Sequence, residues 1–158
     1  MHFRDKNLFV CVLAFAIIFS GCASNEPPDQ QSELKTIIAK YNNAIVEAYK
    51  NQNFEYLTQV ATEEELNKIG IIINSYRQSD QIMEAEIRKI DFREVKIDGD
   101  KAVVKTSEDW SYRWLNYKTG QEVEPPQDIH YELLYQVIKK DGKWLVDAVE
   151  EIKEGNKS

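Results

Sequence analysis

Ile129-His130-Tyr131-Glu132-Leu133-Leu134-Tyr135-Gln136-Val137, followed by Asp141-Gly142-Lys143-Trp144-Leu145-Val146-Asp147-Ala148, decides how this chain folds. Both runs alternate. Ile129, Tyr131, Leu133, Tyr135 and Val137 share one face, and Trp144, Val146 and Ala148 share another. Asp-Gly between alternating runs is a strong short hairpin signal. A two-residue turn at Asp141-Gly142 pairs Lys140 with Lys143, Val137 with Val146 and Tyr135 with Ala148. The two apolar faces then coincide, as register requires. The other faces bring Leu134 to Val149 and Ile138 to Leu145.

Working back along the chain, Lys101 to Asn116 is another period-two run, with Ala102, Val104, Thr106, Glu108, Trp110, Tyr112 and Trp114 on one face. Glu84 to Ile97 joins it through Asp98-Gly99. That first run loses phase: Ile90 and Phe92 are even, Val95 and Ile97 odd. A bulge near Arg93-Glu94 restores it and curls the sheet. The strands expected are Glu84 to Ile97, Lys101 to Asn116, Asp128 to Lys139 and Lys143 to Ile152. Tyr117 to Gln127, with Thr119-Gly120 and Pro125-Pro126, is expected to be a loop.

Before Met83 the period is helical. Leu34, Ile37, Ile38, Tyr41, Ala44, Ile45, Ala48 and Tyr49 form one stripe over four turns, with Ser32 as the expected cap. Asn51 to Asn53 interrupts it. Phe54, Leu57 and Val60 suggest a short second helix. Thr62-Glu63-Glu64-Glu65 matches a capping box, in which Thr62 and Glu65 each satisfy a free amide. It opens a third helix through Leu66, Ile69, Ile73 and Tyr76, and Ile71 and Ile72 widen its apolar face toward burial on more than one side. Three helices followed by a curved four-stranded antiparallel sheet make an α+β domain.

The N-terminal end says where the protein works. Arg4 and Lys6 precede an apolar run from Leu8 to Phe19, then Ser20-Gly21-Cys22 and a polar spacer with Pro27-Pro28. This is the layout of a secretion signal. The run falls short of the roughly 20 apolar residues that cross a bilayer. Small residues directly before a cysteine resemble the lipobox of bacterial lipoproteins, although Phe19 stands where that family usually has Leu. The resemblance implies that residues 1–21 are removed and that Cys22 is acylated and anchors the protein in a lipid bilayer of the cell envelope. The outer membrane is expected if the cell has one, because Ala23 is not the Asp of inner-membrane retention; otherwise the expected place is the outer leaflet of the cytoplasmic membrane. Residues 22–31 then form a tether, 32–153 the domain and 154–158 a tail. Nine residues of tether reach at most about 30 Å.

Composition narrows the chemistry. The whole chain carries a net charge of −7, and the removed segment takes Arg4 and Lys6 with only Asp5, so the remainder is more acidic still. An acidic surface argues against nucleic acid as a partner. With Cys11 and His2 gone, His130 is the one histidine left and no internal disulfide can form. A Cys/His zinc cluster and a cysteine–histidine nucleophile are excluded, so no metal is expected. No phosphate-cradling glycine loop occurs, and no cofactor is expected.

The element order, together with Tyr41 to Tyr49, Asp98-Gly99-Asp100-Lys101-Ala102 and the ending Asp141-Gly142-Lys143-Trp144-Leu145-Val146, resembles the NTF2-like superfamily. In that superfamily three helices close over a bent sheet to form a cone with an interior pocket. Glu108-Asp109-Trp110 and Thr119-Gly120 also resemble the branch at the end of plastid and cyanobacterial division proteins. The resemblance implies a tethered, non-catalytic module that binds an envelope protein or a small apolar ligand, with Tyr41, Tyr76, Trp110, Trp114 and Tyr135 as pocket residues. Eight tyrosines in the chain suit a partly wet pocket, since buried hydroxyls need partners. The alternative is a small-molecule isomerase or dehydratase. There Glu108, facing inward among aromatics, is the general base, desolvation raises its pKa, and Tyr112 or Tyr131 donates a hydrogen bond.

His130 has outward parity beside Glu132, and no Asp–His dyad follows from the pattern. Arg113 and Glu132 are expected to form a surface ion pair. A homodimer through Leu134, Ile138, Leu145 and Val149 on the outer sheet face is a third reading.

Overall fold

The computed structural model describes residues 29–153. The signal segment, Cys22, most of the tether and the tail 154–158 lie outside the described residues. Helix α1 spans Gln30–Asn51, a single 3-10 turn Phe54–Leu57, and helix α2 Glu63–Gln78. Strands β1 (Gln81–Asp98), β2 (Lys101–Asn116), β3 (Glu122–Lys140) and β4 (Lys143–Glu151) follow in one antiparallel sheet of order β1-β2-β3-β4. Among the described residues there are thus two α-helices rather than three, because the segment after Asn53 closes only one turn before Thr58.

Helix α1 starts earlier than expected. Asp29 is its cap, accepting from the Ser32 amide at 2.7 Å, so Ser32 lies inside the first turn and Gln30-Gln31 belong to the helix, not the tether. The stripe faces the sheet as expected, with Leu34, Ile38, Tyr41, Ile45 and Ala48 buried. Gln52, in the left-handed region at φ 53°, ends the helix.

Thr62 caps α2, but only half of the capping box forms. Its side chain accepts from the Glu65 amide, while its own amide donates to the Val146 carbonyl at 2.9 Å. With that amide taken, the Glu65 side chain turns inward and is 4% exposed. The same segment returns a second bond, Val146 amide to Val60 carbonyl, and thereby covers the free edge of β4. Helix α2 buries Ile69 and Ile73 but not the widened face: Ile71 is 71% exposed and Ile72 39%. The far side of the helix is met by Phe54, whose ring lies 3.5 Å from where a Gly70 Cβ would stand.

The hairpins follow their turn chemistry. Asp141 (φ 50°) and Gly142 (φ 76°) both adopt positive φ, the conformation a type I′ turn needs. Lys140 pairs Lys143 and Val137 pairs Val146 as expected. Beyond them a bulge shifts the register, so Ala148 meets Gln136 and Val149 meets Tyr135. That slip carries Val149 to the inner face, and Leu134 meets Glu150 instead. The outer apolar patch shrinks to Leu134, Ile138 and Leu145, each half-buried.

In β1 the bulge at Arg93 is present, and a second sits at Arg88. The inner face therefore reads Ala85 and Ile87, then Ile90 and Phe92, then Val95 and Ile97. Strand β3 begins at Glu122, so the expected loop shortens to the stretch between Asn116 and Glu122. Pro125 and Pro126 are accommodated because β4 pairs only from Leu133 onward, leaving this part of β3 an edge, and because the β2 register shifts beside Trp114.

Candidate functional site

The interior is built from the inner faces of α1, α2 and β1–β4, and its middle is polar. Glu108 is fully buried. Its Oε1 accepts from the Thr106 hydroxyl at 2.7 Å and the Tyr135 hydroxyl at 2.9 Å. Its Oε2 accepts from the Trp110 indole at 2.7 Å and from Asn42 Nδ2 at 3.1 Å. Two bonds on each oxygen use the lone pairs a carboxylate offers. The Tyr135 hydroxyl also lies 3.0 Å from Asn42 Oδ1, so its single proton is shared between two acceptors. The cluster ties α1 to β2 and β3 at the centre of the molecule.

Above this cluster lies a cavity of about 300 Å³ between α1, α2 and the sheet. Tyr41, Tyr112, Tyr131, Tyr135 and Trp110 line it, so five of the residues singled out from sequence converge there. Glu108 is not in the lining; it stands behind Trp110 and Tyr135 and holds both by their polar hydrogens. Tyr76 and Trp114 are set back. Tyr76 packs edge-on against Tyr49, ring centroids 6.0 Å apart, and Trp114 tilts onto Tyr112 at 5.7 Å. Trp110 and Tyr112 stack nearly parallel at 5.9 Å, and Tyr131 meets Tyr112 edge-on at 6.4 Å.

Tyr41, Tyr49, Tyr112 and Tyr135 keep their phenol protons throughout the neutral range. Burial, and then the Glu65 carboxylate, pushes Tyr41 far above the ordinary tyrosine value; burial, and then Glu108, does the same for Tyr135. Tyr112 is raised by burial and by its bond with Tyr131, and Tyr49 by burial and then Tyr76.

Asn42, Glu65, Tyr49 and Lys68 belong to the site without having been singled out for it. A signal existed for two of them. Asn42 follows Leu34 and Ile38 at four-residue steps, so a polar side chain stands on the core side of an apolar stripe. Glu65 precedes Ile69 and Ile73 at the same spacing. Its Oε1 accepts from the Tyr41 hydroxyl at 2.6 Å, and Lys68 Nζ lies 3.7 Å from its Oε2 at the rim.

On the outer sheet face His130 is exposed, as its parity indicates, but it has an acid partner. In-register pairing of Asp109 with His130 puts Asp109 Oδ1 2.7 Å from Nδ1, and Glu132 Oε1 lies 3.1 Å from Nε2. The bonds to Asp109 and then to Glu132 raise the imidazole pKa. Arg113 pairs with Glu84 across β1 rather than with Glu132.

Two helices closed over a curled four-stranded meander, with a cavity between the layers, make a fold on which solved structures superpose, an NTF2-like superfamily protein among them. The intermembrane space region of the chloroplast protein ARC6 matches with a TM-score of 0.68 at 14% identity, over 77% of this chain and 95% of that one. The putative transfer protein TraH from the Gram-positive conjugative plasmid pIP501 matches at 0.57 and 15% identity, over 82% and 99%. An NTF2-like superfamily protein from Salmonella enterica serovar Typhimurium matches at 0.54 and 12% identity, over 81% and 96%. At such identities the likeness is one of fold. No protein-family model matches the sequence, and no curated protein does. Among the described residues no helix is long and apolar enough to cross a membrane.

Proposed function

We propose that this chain is a lipid-anchored envelope protein whose NTF2-like domain holds a small, largely apolar ligand in the aromatic cavity without transforming it. The observation that carries the ligand reading is the combination of an aromatic-walled space of about 300 Å³ with a buried acid whose lone pairs are all occupied. Pockets of this size and lining are the usual form of small-molecule sites. A general base must reach the proton it removes. Glu108 is committed to four donors behind the wall, which favours binding over the isomerase or dehydratase alternative. Attachment through acylated Cys22 rests on the lipobox pattern. Two acyl signals give stable membrane attachment, at about 0.8 kcal/mol per buried methylene.

Two halves of this reading are tested separately. Cys22→Ala is expected to move the chain from the membrane pellet to the soluble fraction; unchanged retention would contradict the anchor. Cyclohexanol is expected to raise the Tm of the full chain saturably, as any ligand of the native state does. The rise should vanish in Leu133→Trp, which fills the space. An equal rise in that variant would contradict the cavity as the site.

A further inference from the structure

We propose that the ligand is an organic cation: a quaternary or tertiary ammonium carrying small apolar substituents. This rests on the cavity being a ligand site and adds the charge of what it takes. Two of the lining rings deliver their polar hydrogens to buried carboxylates, and a third shares its own between a carboxylate and Asn42. The Trp110 indole donates to Glu108 at 2.7 Å, the Tyr135 hydroxyl to Glu108 at 2.9 Å, and the Tyr41 hydroxyl to Glu65 at 2.6 Å. A hydrogen drawn toward a carboxylate polarises the group that donates it, here leaving each ring more electron-rich on its faces. Aromatic faces so enriched attract a cation placed within about 6 Å, and more strongly when it is desolvated.

The charges around the cavity point the same way. Glu65 is in the wall and Glu108 directly behind it, both buried. Among the described residues one ammonium is set against them. Lys68 stands half-exposed at the rim, 3.7 Å from Glu65 and 3.5 Å from Glu64, so it is already shared with a second acid. All four hydrogen-bond partners of Glu108 are neutral groups. An anion entering this space would meet two carboxylates. A neutral guest would use the rings but not the field. A trimethylammonium group uses both, and its methyl surface suits the walls.

The test is a titration of the full chain, in maltoside micelles, with three water-soluble probes of one shape: choline, its carbon isostere 3,3-dimethylbutan-1-ol, and the anion 3,3-dimethylbutanoate. Tryptophan fluorescence and calorimetry report binding. Choline is expected to bind about tenfold more tightly than the isostere, the scale of one desolvated cation–π contact. Glu65→Gln, which keeps an acceptor for Tyr41 but removes the charge, should narrow that ratio. Should that variant fold poorly, Lys68→Met is expected to widen the ratio by removing the competing ammonium. Equal or tighter binding of the isostere, or preference for the anion, overturns the cation inference while leaving the cavity as a ligand site. Failure of all three to bind overturns both.

Discussion

Glu108 is the residue on which the interior turns, and its substitutions separate a structural carboxylate from a chemical one. Gln can turn its carbonyl oxygen to Trp110 and Asn42 and its amide to Thr106 and Tyr135, whose hydroxyls rotate to accept. Glu108→Gln is therefore expected to cost no more than about 1 kcal/mol. Glu108→Leu strands the indole and amide donors in the core, and an unsatisfied buried donor costs roughly 1–3 kcal/mol. Urea unfolding of the two variants should differ accordingly; equal stability would mean that the four bonds contribute nothing. Sequence parity was enough to place Glu108 inward beside Trp110. It could not show the acid withdrawn behind the wall, because Asn42, which pulls it there, comes from a helix distant in sequence.

At the same scale His130 gives a pH dependence with a definite sign. Its pKa is raised above the ordinary value of ~6.5 by its bonds to Asp109 and then Glu132. A group whose folded pKa is raised stabilises fully below its unfolded value and loses that contribution as pH rises through the folded one. The Tm of the wild type should exceed that of His130→Gln most between about pH 5 and 6, and the gap should close on the alkaline side of the folded pKa. A gap that grows with pH would contradict the pairing. Parity had placed His130 outside correctly. The Asp109 partner was missed because strand β3 was compared with its own neighbours and not with the residue opposite on β2.

Among the elements, strand β1 shows most plainly how a fold is encoded in phase. Arg93 is the extra residue that returns Val95 and Ile97 to the inner face. Deleting it would shift every later residue of the strand by one, turning those side chains outward and Lys96 inward. The deletion is expected to abolish the cooperative thermal transition, whereas Arg93→Ala, which keeps the count, should leave Tm nearly unchanged. A folded deletion variant would contradict the bulge. The phase break at Arg93 was visible as a change from even to odd apolar positions. The break at Arg88 is the same kind of signal, Ile87 against Ile90, and only the later one was read. Less legible was β4, where the bulge that sends Val149 inward leaves no mark in an alternating pattern. The short second helix failed for a simpler reason: Phe54, Leu57 and Val60 have helical spacing, but the segment must turn sharply to reach the edge of β4. Ile71 and Ile72 misled in the same way, since apolar side chains are common on protein surfaces and two of them do not bury a helix face.

For the whole molecule, the order of helices and strands carried the architecture, because each hairpin turn and each stripe was consistent with a single layered packing. The cavity was not legible. Its walls are brought together by Ile45 from α1, Ile69 from α2 and Val149 from β4, which come from elements far apart in sequence. The most direct measurement is methyl NMR of the full chain titrated with cyclohexanol. The account predicts that the methyls of Ile45, Ile69, Leu133 and Val149 shift together and saturate, while those of Leu134, Ile138 and Leu145 on the outer face stay in place. Saturable shifts confined to the outer face, with the cavity methyls unmoved, would contradict it and make the sheet surface the part of this protein that binds.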